Sequence, residues 1–180
     1  LDINPDFAEA HNNLGVTLQE LGQHDDAVKC YEKALAIKPD YADAHNNLGN
    51  VLKDLGQLDA AIKSFEKAIA IQPDYAEVHN NLGFILKELG QFNSAIKCYE
   101  KAISINPDYA EAHNNLGLTL MELDQLDAAV KSYNQALAIK PDFAETYSNL
   151  GILMIGLKRL DEGLASYERA LVLKPDLDFL

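Results

Sequence analysis

The sequence predicts an all-α repeat protein, a solenoid in which helix–turn–helix units stack in a row. The first observation is the spacing of proline, because all six prolines of the 180-residue chain stand 34 residues apart. They are Pro5, Pro39, Pro73, Pro107, Pro141 and Pro175. A period of this length is typical of units that form two helices each, and helical spacing of apolar residues inside each unit supports the same fold class.

The period divides the chain into five complete repeats and two partial ones. The complete repeats are residues 5–38, 39–72, 73–106, 107–140 and 141–174. Residues 1–4 match the end of a repeat, and residues 175–180 match the beginning of one. We therefore expect one solenoid domain over residues 1–180, cut from a longer protein.

The first helix of each repeat is predicted by a pair of acids and by the apolar residues that follow. In the first repeat, Asp6 and Glu9 fit a capping box, in which aspartate accepts hydrogen bonds from the free N–H groups of a helix start. The same pair recurs as Asp40/Asp43, Asp74/Glu77, Asp108/Glu111 and Asp142/Glu145. Bulky residues then follow at helical spacing, at His11, Leu14, Leu18 and Leu21, which makes this the packing face.

Small residues mark where helices end or approach each other. Gly22, Gly56 and Gly90 stand where the first helix should stop, and Pro39 blocks continuation of the second helix. Another glycine recurs inside the first helix, where it costs about 1 kcal/mol relative to alanine. Its recurrence, at Gly15, Gly49, Gly83, Gly117 and Gly151, predicts close backbone approach by a neighbouring helix.

The charge of the chain narrows the class of partner. Acidic residues outnumber basic residues by 28 to 15, so the net charge is −13. Binding to a phosphate backbone needs a basic face, and we therefore expect no nucleic-acid partner but a basic or neutral polypeptide. The sequence contains no apolar run of the length that crosses a membrane, so a membrane partner is not expected either.

Cysteine and histidine show no pattern of a reactive or metal-binding site. Cys30 and Cys98 occupy equivalent positions of the first and third repeats, beyond the ~7 Å reach of a disulfide. We expect free thiols used in packing, which fits a cytoplasmic protein. Histidine occurs once on the packing face of each of the first four repeats, without a second ligand at metal spacing, at His11, His45, His79 and His113. We expect no catalytic residue, cofactor or metal.

Asparagine recurs on the face opposite these histidines. One set is Asn13, Asn47, Asn81, Asn115 and Asn149, and its neighbours are Asn12, Asn46, Asn80 and Asn114, with Asn50 nearby. Asparagine is a poor helix former, so its position inside a helix needs a reason. Each amide offers an acceptor and two donors, enough to hold the backbone of an extended peptide. Two alternatives remain: hydrogen bonds between adjacent first helices, or persistence after recent duplication of the repeats.

The pattern Leu14-Gly15, Ala27, Tyr31, Ala34 and Pro39 resembles the tetratricopeptide repeat (TPR). The resemblance covers residues 5–174. It implies a right-handed superhelical solenoid of five repeats whose first helices line a concave groove, and therefore a module for protein–protein interaction. One departure is His11, which stands where the family often has an aromatic residue.

The asparagine row also resembles the TPR superhelix of the O-GlcNAc transferase family. That resemblance implies an arm that recruits protein substrates to a separate glycosyltransferase domain, and no catalytic residue can be transferred to this chain. The other familiar TPR use, a clamp for chaperone C-termini, needs inner basic residues. Only Lys53 and Lys87 stand there, each followed by an acid, so a clamp is disfavoured.

The fifth repeat suggests a second function. Its end is apolar, at Leu164, Leu171, Leu173, Leu177 and Phe179, unlike the polar cap that usually closes a stack. We expect end-to-end self-association at high concentration. The alternative function is therefore a scaffold or oligomerisation module that uses its end or convex faces.

Overall fold

The computed structural model describes residues 7–175, which contain ten α-helices and no strand. The helices are α1 (Ala8–Glu20), α2 (His24–Ile37), α3 (Ala42–Asp54), α4 (Leu58–Ile71), α5 (Ala76–Glu88), α6 (Phe92–Ile105), α7 (Ala110–Glu122), α8 (Leu126–Ile139), α9 (Ala144–Gly156) and α10 (Leu160–Leu173). They follow the predicted repeats, two helices in each. The all-α solenoid fold class predicted from the sequence is confirmed.

The chain divides into two compact units, Leu1–Ile85 and Leu86–Leu180, with the boundary inside α5. In the first unit α1 pairs with α2 and α3 pairs with α4, and α2 also packs on α3. In the second unit α7 pairs with α8 and α9 with α10, while α6 packs on α7 and α8 on α9. Helical hairpins therefore stack within each unit.

The turn between repeats differs from the predicted helix cap. Before α3 the backbone N–H of Tyr41 donates to the carbonyl of Lys38 (3.2 Å), so Pro39 and Asp40 occupy the centre of a turn. The N-cap residues of α3, α7 and α9 are Tyr41, Tyr109 and Phe143, and none of these helix starts has a side-chain capping hydrogen bond. The prediction of aspartate capping is wrong for these helices, because proline draws the aspartate into the turn. Asp6 lies outside the described residues.

In the second, third and fourth repeats, histidine links the first helix to the proline that precedes it. The Nε2 atoms of His45, His79 and His113 lie 3.0, 2.9 and 3.1 Å from the carbonyl oxygens of Pro39, Pro73 and Pro107. A carbonyl can only accept, so Nε2 carries the proton. Burial lowers the pKa of His45, although its bond to Pro39 acts in the opposite direction. Histidine is therefore a packing residue, as the sequence predicted.

Glycine inside the first helix receives an aromatic ring from the second helix of the same repeat. A Cβ atom added to Gly49 would lie 2.5 Å from Cε1 of Phe65, whose side chain is fully buried. Gly15, Gly117 and Gly151 meet Tyr31, Tyr133 and Tyr167 in the same way. The predicted close approach is confirmed, with the correction that a ring, not a neighbouring backbone, fills the space.

The turn inside each repeat uses a left-handed residue. Gly22, Gly56 and Gly90 have φ of 73°, 72° and 71°, as expected for glycine after a helix end. Asp124 and Lys158 take the same conformation in the fourth and fifth repeats, with φ of 58° and 61°. The turn geometry is therefore kept even where glycine is absent.

Replacing Gly49 by alanine should destabilise the protein by about 1–3 kcal/mol, since the added methyl group collides with Phe65. The matched control is Gly156→Ala, because a Cβ atom there meets nothing within 4 Å. The control should be neutral or stabilising by up to about 1 kcal/mol. Urea unfolding of both variants checks this, and equal losses would contradict the assigned contact.

Stability should fall below neutral pH partly because of His45. Its pKa is lowered from the ordinary 6.5, so the unfolded chain binds the proton more tightly than the folded chain. The contribution of neutral His45 is thus complete above about pH 6.5 and is lost as the pH falls through the folded-state pKa. Thermal unfolding at neutral and acidic pH should show a smaller decrease in His45→Gln than in the wild type. His11→Gln, at the equivalent but more exposed position, is the control; identical pH profiles for His45→Gln and the wild type would exclude this role.

Candidate peptide-binding face

The recurring asparagines form two layers on the first helices. The inner asparagines are Asn12, Asn46, Asn80 and Asn114, with exposed fractions of 6%, 2%, 8% and 2%. The outer asparagines are Asn13, Asn47, Asn81, Asn115 and Asn149; Asn13 is exposed and the others are half-buried. Only the outer asparagines are therefore placed to reach a partner directly.

In the first unit, outer asparagines bond to the inner asparagines of the preceding first helix. Asn47 Nδ2 donates to Asn12 Oδ1 (3.0 Å), and Asn81 Nδ2 donates to Asn46 Oδ1 (3.3 Å). Asn81 Nδ2 also donates to Asn50 Oδ1 (3.1 Å). These contacts match the alternative raised from the sequence, hydrogen bonds between adjacent first helices.

The second unit repeats the contact and adds a buried hydroxyl. Asn149 Nδ2 donates to Asn114 Oδ1 (3.2 Å), and the hydroxyl of Thr146 donates to the same oxygen (3.0 Å). Thr146 is fully buried, so its hydroxyl has no access to water and depends on Asn114 as its hydrogen-bond acceptor. The inner asparagines therefore hold adjacent first helices together.

The hydrogen bonds within the protein determine which donors and acceptors of an outer asparagine remain for a ligand. Asn81 uses both amide hydrogens, on Asn46 and Asn50, and its Oδ1 remains an acceptor. Asn47 and Asn149 each use one amide hydrogen in the bonds described above, which leaves one donor as well as the acceptor. Asn47, Asn81 and Asn149 together therefore retain more acceptors than donors for hydrogen bonds to a ligand.

Carboxylates flank the outer asparagine on each first helix. One lies four residues before it, at Glu9, Asp43, Glu77, Glu111 and Glu145, and one lies seven residues after it, at Glu20, Asp54, Glu88 and Glu122. The nearby Lys53 and Lys87 lie 3.6 and 2.9 Å from Asp54 and Glu88. These lysines are therefore paired, and the face stays acidic.

Some of these carboxylates have partners from the following segments. Asp43 accepts a hydrogen bond from the Tyr75 hydroxyl (2.9 Å), and burial together with this bond raises the pKa of Tyr75. Lys140 Nζ lies 3.0 Å from Glu111 Oε1. Burial of Glu111 opposes its ionisation, but the hydrogen bond and the charge of Lys140, together with a backbone hydrogen bond, lower the pKa of the carboxyl group. Glu111 is therefore charged at neutral pH.

Apolar side chains lie beside the asparagines. Phe84 in the first unit is 38% exposed, and Ile152 and Ile155 in the second unit are 50% and 44% exposed. Ile152 and Phe84 each follow an outer asparagine by three residues, about one helical turn. Each unit therefore combines acceptor groups, negative charge and an exposed apolar side chain on one helix surface.

Family comparisons agree with the helix-pair geometry along nearly the whole chain. Models of the tetratricopeptide repeat match residues 6–74, 64–97 and 144–177, and a model of the TPR repeat matches residues 85–124 and 119–158. The chain belongs to the tetratricopeptide repeat family. Among curated proteins, none matches the chain significantly.

Solved TPR structures share this fold. A thermophilic TPR protein of Thermus thermophilus is 31% identical, over 96% of this chain and 94% of that protein, with a TM-score of 0.77. MamA is 28% identical, over 89% and 94% of the two chains, with a TM-score of 0.80. YrrB, described as a TPR protein with an unusual peptide-binding site, is 24% identical, over 96% and 89%, with a TM-score of 0.75. At that identity YrrB shows the fold alone.

Each unit also has a cleft on its second helices, which the sequence did not reveal. The first cleft, of about 650 Å³, lies between α2 and α4, and the second, of about 740 Å³, between α6 and α8. Equivalent residues line them, at Glu32, His45, Leu48 and Ser64 and at Glu100, His113, Leu116 and Ser132. The sequence does show that these residue types recur at multiples of 34 residues. It does not show that they line one cleft, because that depends on how three helices pack.

The described part of the chain contains neither a metal-ligand cluster nor a membrane-spanning helix. Residues 7–175 contain no group of three histidine, cysteine, aspartate or glutamate side chains arranged for a metal ion. Within the same range, no helix is both long and apolar enough to cross a membrane. Cys30 and Cys98 are free thiols, and burial raises the pKa of Cys98.

Asn114→Ala should destabilise this TPR protein by about 1–3 kcal/mol, because the buried Thr146 hydroxyl would lose its acceptor. Asn149→Ala is the matched control, since it removes one hydrogen bond from a half-buried residue and should cost about 1 kcal/mol or less. Chemical denaturation of the two variants measures the difference. Equal losses would show that the inner asparagine has no special structural role.

Proposed function

We propose that the chain is a non-catalytic interaction module that binds extended, basic or neutral polypeptide along the asparagine face of each unit. The observation that carries the proposal is the arrangement of Asn47 and Asn81, each of which keeps an unused Oδ1 acceptor between two carboxylates, and of Asn149, which keeps one beside Glu145. The family supports the general part, since TPR proteins are protein-interaction modules. The ligand chemistry follows from this chain's own residues.

Backbone recognition follows from the remaining hydrogen-bonding capacity. Adjacent packed helices lie roughly 8–10 Å apart, and an extended chain advances about 3.3 Å per residue. One outer asparagine therefore meets about every third residue of a bound chain. Oδ1 of Asn81 can accept a backbone N–H, and Asn47 can also donate to a backbone carbonyl. Such contacts hold a polypeptide with little regard for its side chains.

Charge gives the face its selectivity. Every first helix has a carboxylate before its outer asparagine, and four of the five have another after it. A single exposed charge pair contributes at most about 1 kcal/mol, but several along one bound chain act together. Lysine or arginine side chains in the ligand would meet these carboxylates, whereas an acidic ligand would be repelled. Binding should therefore weaken as salt screens the charges.

The binding prediction concerns a labelled extended peptide with lysine at every third position. It should bind more tightly than a peptide with glutamate at those positions, and more weakly as salt rises. Combined replacement Asn47→Ala, Asn81→Ala and Asn149→Ala should weaken binding about tenfold, roughly 1.4 kcal/mol. Fluorescence anisotropy gives the affinities, and circular dichroism shows whether the helices are retained.

Matched charge variants locate the binding face. Glu122→Gln and Glu145→Gln change acids that flank the outer asparagines, whereas Glu66→Gln and Glu168→Gln change exposed acids of second helices. Only the first pair of substitutions should weaken binding of the lysine peptide. An equal effect of both pairs, or tighter binding of the glutamate peptide, would refute the proposal.

A more specific role is recruitment of protein substrates for a glycosyltransferase, in the cytoplasm. The support is the resemblance of the asparagine row to the O-GlcNAc transferase family, together with a surface that can hold many sequences by their backbone. The test is the parent protein's coding sequence beyond Leu180. A glycosyltransferase domain there would support the role, and a different catalytic domain would exclude it.

The second candidate function is a scaffold that uses the convex, second-helix side. The observation in its favour is the pair of equivalent clefts, which recur in both units with a buried or half-buried histidine and a leucine from the first helix. For a partner protein in hand, Ala36→Glu and Ala128→Glu would block the two clefts without touching the asparagines. Loss of binding to that partner in these variants, but not in the asparagine variants, would favour the scaffold function.

A further inference from the structure

A chain of hydrogen bonds fixes the carboxylate of Asp54, the last residue of α3, in the first unit. The hydroxyl of Tyr31, whose side chain is fully buried, donates to Gln19 Oε1 (3.0 Å). Gln19 Nε2 donates in turn to Asp54 Oδ2 (3.3 Å). Glutamine occurs at this position only in the first repeat. Asp54 is therefore oriented from the packed interior of the unit, through Gln19.

The other oxygen of Asp54 has a loosely held cation. Lys53 Nζ lies 3.6 Å from Asp54 Oδ1, whereas a charge-assisted hydrogen bond to a carboxylate is typically about 2.7–2.9 Å long. The same Nζ atom lies 5.7 Å from the centroid of the Phe84 ring, close to the limit of about 6 Å for a cation–π contact. The exposed fractions of Lys53, Asp54 and Phe84 are 31%, 37% and 38%. A ligand can therefore reach all three side chains.

Phe84 distinguishes the third repeat from the others. The equivalent residues are Val16, Asn50, Leu118 and Ile152. Phe84 lies about one helical turn beyond Asn81, and Lys53 lies one turn beyond Asn50. Asn81 and Asn50 are joined by a hydrogen bond of 3.1 Å. The aromatic ring and the carboxylate therefore adjoin the asparagine face at one place, where a bound chain would bring a side chain to both.

We propose that Asp54 and Phe84 form a subsite for an arginine side chain of the bound polypeptide, and that Lys53 competes with this arginine. The proposal rests on the function proposed above and specifies its ligand. A planar guanidinium group stacks on an aromatic ring and also donates two parallel hydrogen bonds to a carboxylate. An ammonium group has neither the plane nor the fork. Arginine thus gains contacts that a ligand lysine and Lys53 do not make.

Competition by Lys53 gives a variant with increased affinity. Lys53→Met keeps an unbranched side chain but removes the ammonium group beside Asp54 and Phe84. This variant should bind an arginine peptide more tightly than the wild type, a result that misfolding cannot produce. The matched control is Lys63→Met, which removes the same charge from an exposed position on the second helix α4. It separates the local effect from the change in net charge.

The probe is the labelled lysine peptide described above, compared with the same peptide in which arginine replaces one central lysine. Because lysine recurs at every third position, a shift of register brings the arginine to the subsite and keeps the other contacts. Fluorescence anisotropy should show that the wild type binds the arginine peptide about threefold more tightly than the lysine peptide. In Lys53→Met the ratio should rise to about tenfold, and in Lys63→Met it should stay at the wild-type value.

A second variant removes the ring alone. Phe84→Leu should abolish the preference for arginine and keep binding of the lysine peptide, since leucine already stands at the equivalent position 118. Phe92→Leu is the matched control, because it changes a phenylalanine at the start of α6 to the leucine found at positions 58 and 126. It should retain the preference. Circular dichroism shows whether each variant keeps its helices.

The results separate this subsite from the function on which it rests. A wild type that binds both peptides equally would keep the peptide-binding function and overturn the subsite. Persistence of the arginine preference in Phe84→Leu, or an equal increase in Lys53→Met and Lys63→Met, would also overturn the subsite. A wild type that binds neither peptide would overturn the peptide-binding function together with the subsite.

Discussion

The contact between an aromatic ring of a second helix and a glycine of the first helix governs the spacing of these hairpins. A buried aromatic side chain removes about 150–250 Å² from water, which outweighs the cost of about 1 kcal/mol for glycine in a helix. Phe65 lies so close to Gly49 that the space for even a Cβ atom is taken. The first helix is then oriented by its histidine, which bonds to the proline carbonyl of the turn before it. The asparagine face depends on both contacts.

The structural role and the proposed recognition role fall on neighbouring residues of the two asparagine layers. Asn46 is buried and joins first helices, accepting from Asn81 and donating to Glu77 (3.2 Å). Asn47, one residue later, is half-buried and retains unused hydrogen-bonding capacity. Because a buried amide without partners is costly, the inner layer fixes the side-chain rotamers of the outer one. A ligand would thus meet groups that are already ordered, which reduces the entropy lost on binding.

Much of the fold could be predicted from the sequence, because proline, glycine and apolar residues repeat together. The cap prediction failed at Asp40, since a proline–aspartate turn and a helix cap use the same residue types and differ only in backbone geometry. The sequence also could not separate Asn46 from Asn47, because adjacent residues differ by about 100° around the helix and only the neighbouring helix decides which is buried. The clefts depend on three helices at once, which no local pattern encodes.

Near-identical repeats carry a risk of mispairing, and Asn50 limits it. Any first helix could stack on a wrong neighbour, as happens in misfolded repeat proteins, since the glycine, histidine and inner asparagine are almost the same in every unit. The position of Asn50 is valine, phenylalanine, leucine or isoleucine in the other repeats. Asn81 donates to Asn50 as well as to Asn46, so α5 stacked after any other first helix would lose one hydrogen bond. A single polar residue at a position that is apolar in the other repeats thus favours the correct packing partner for α5.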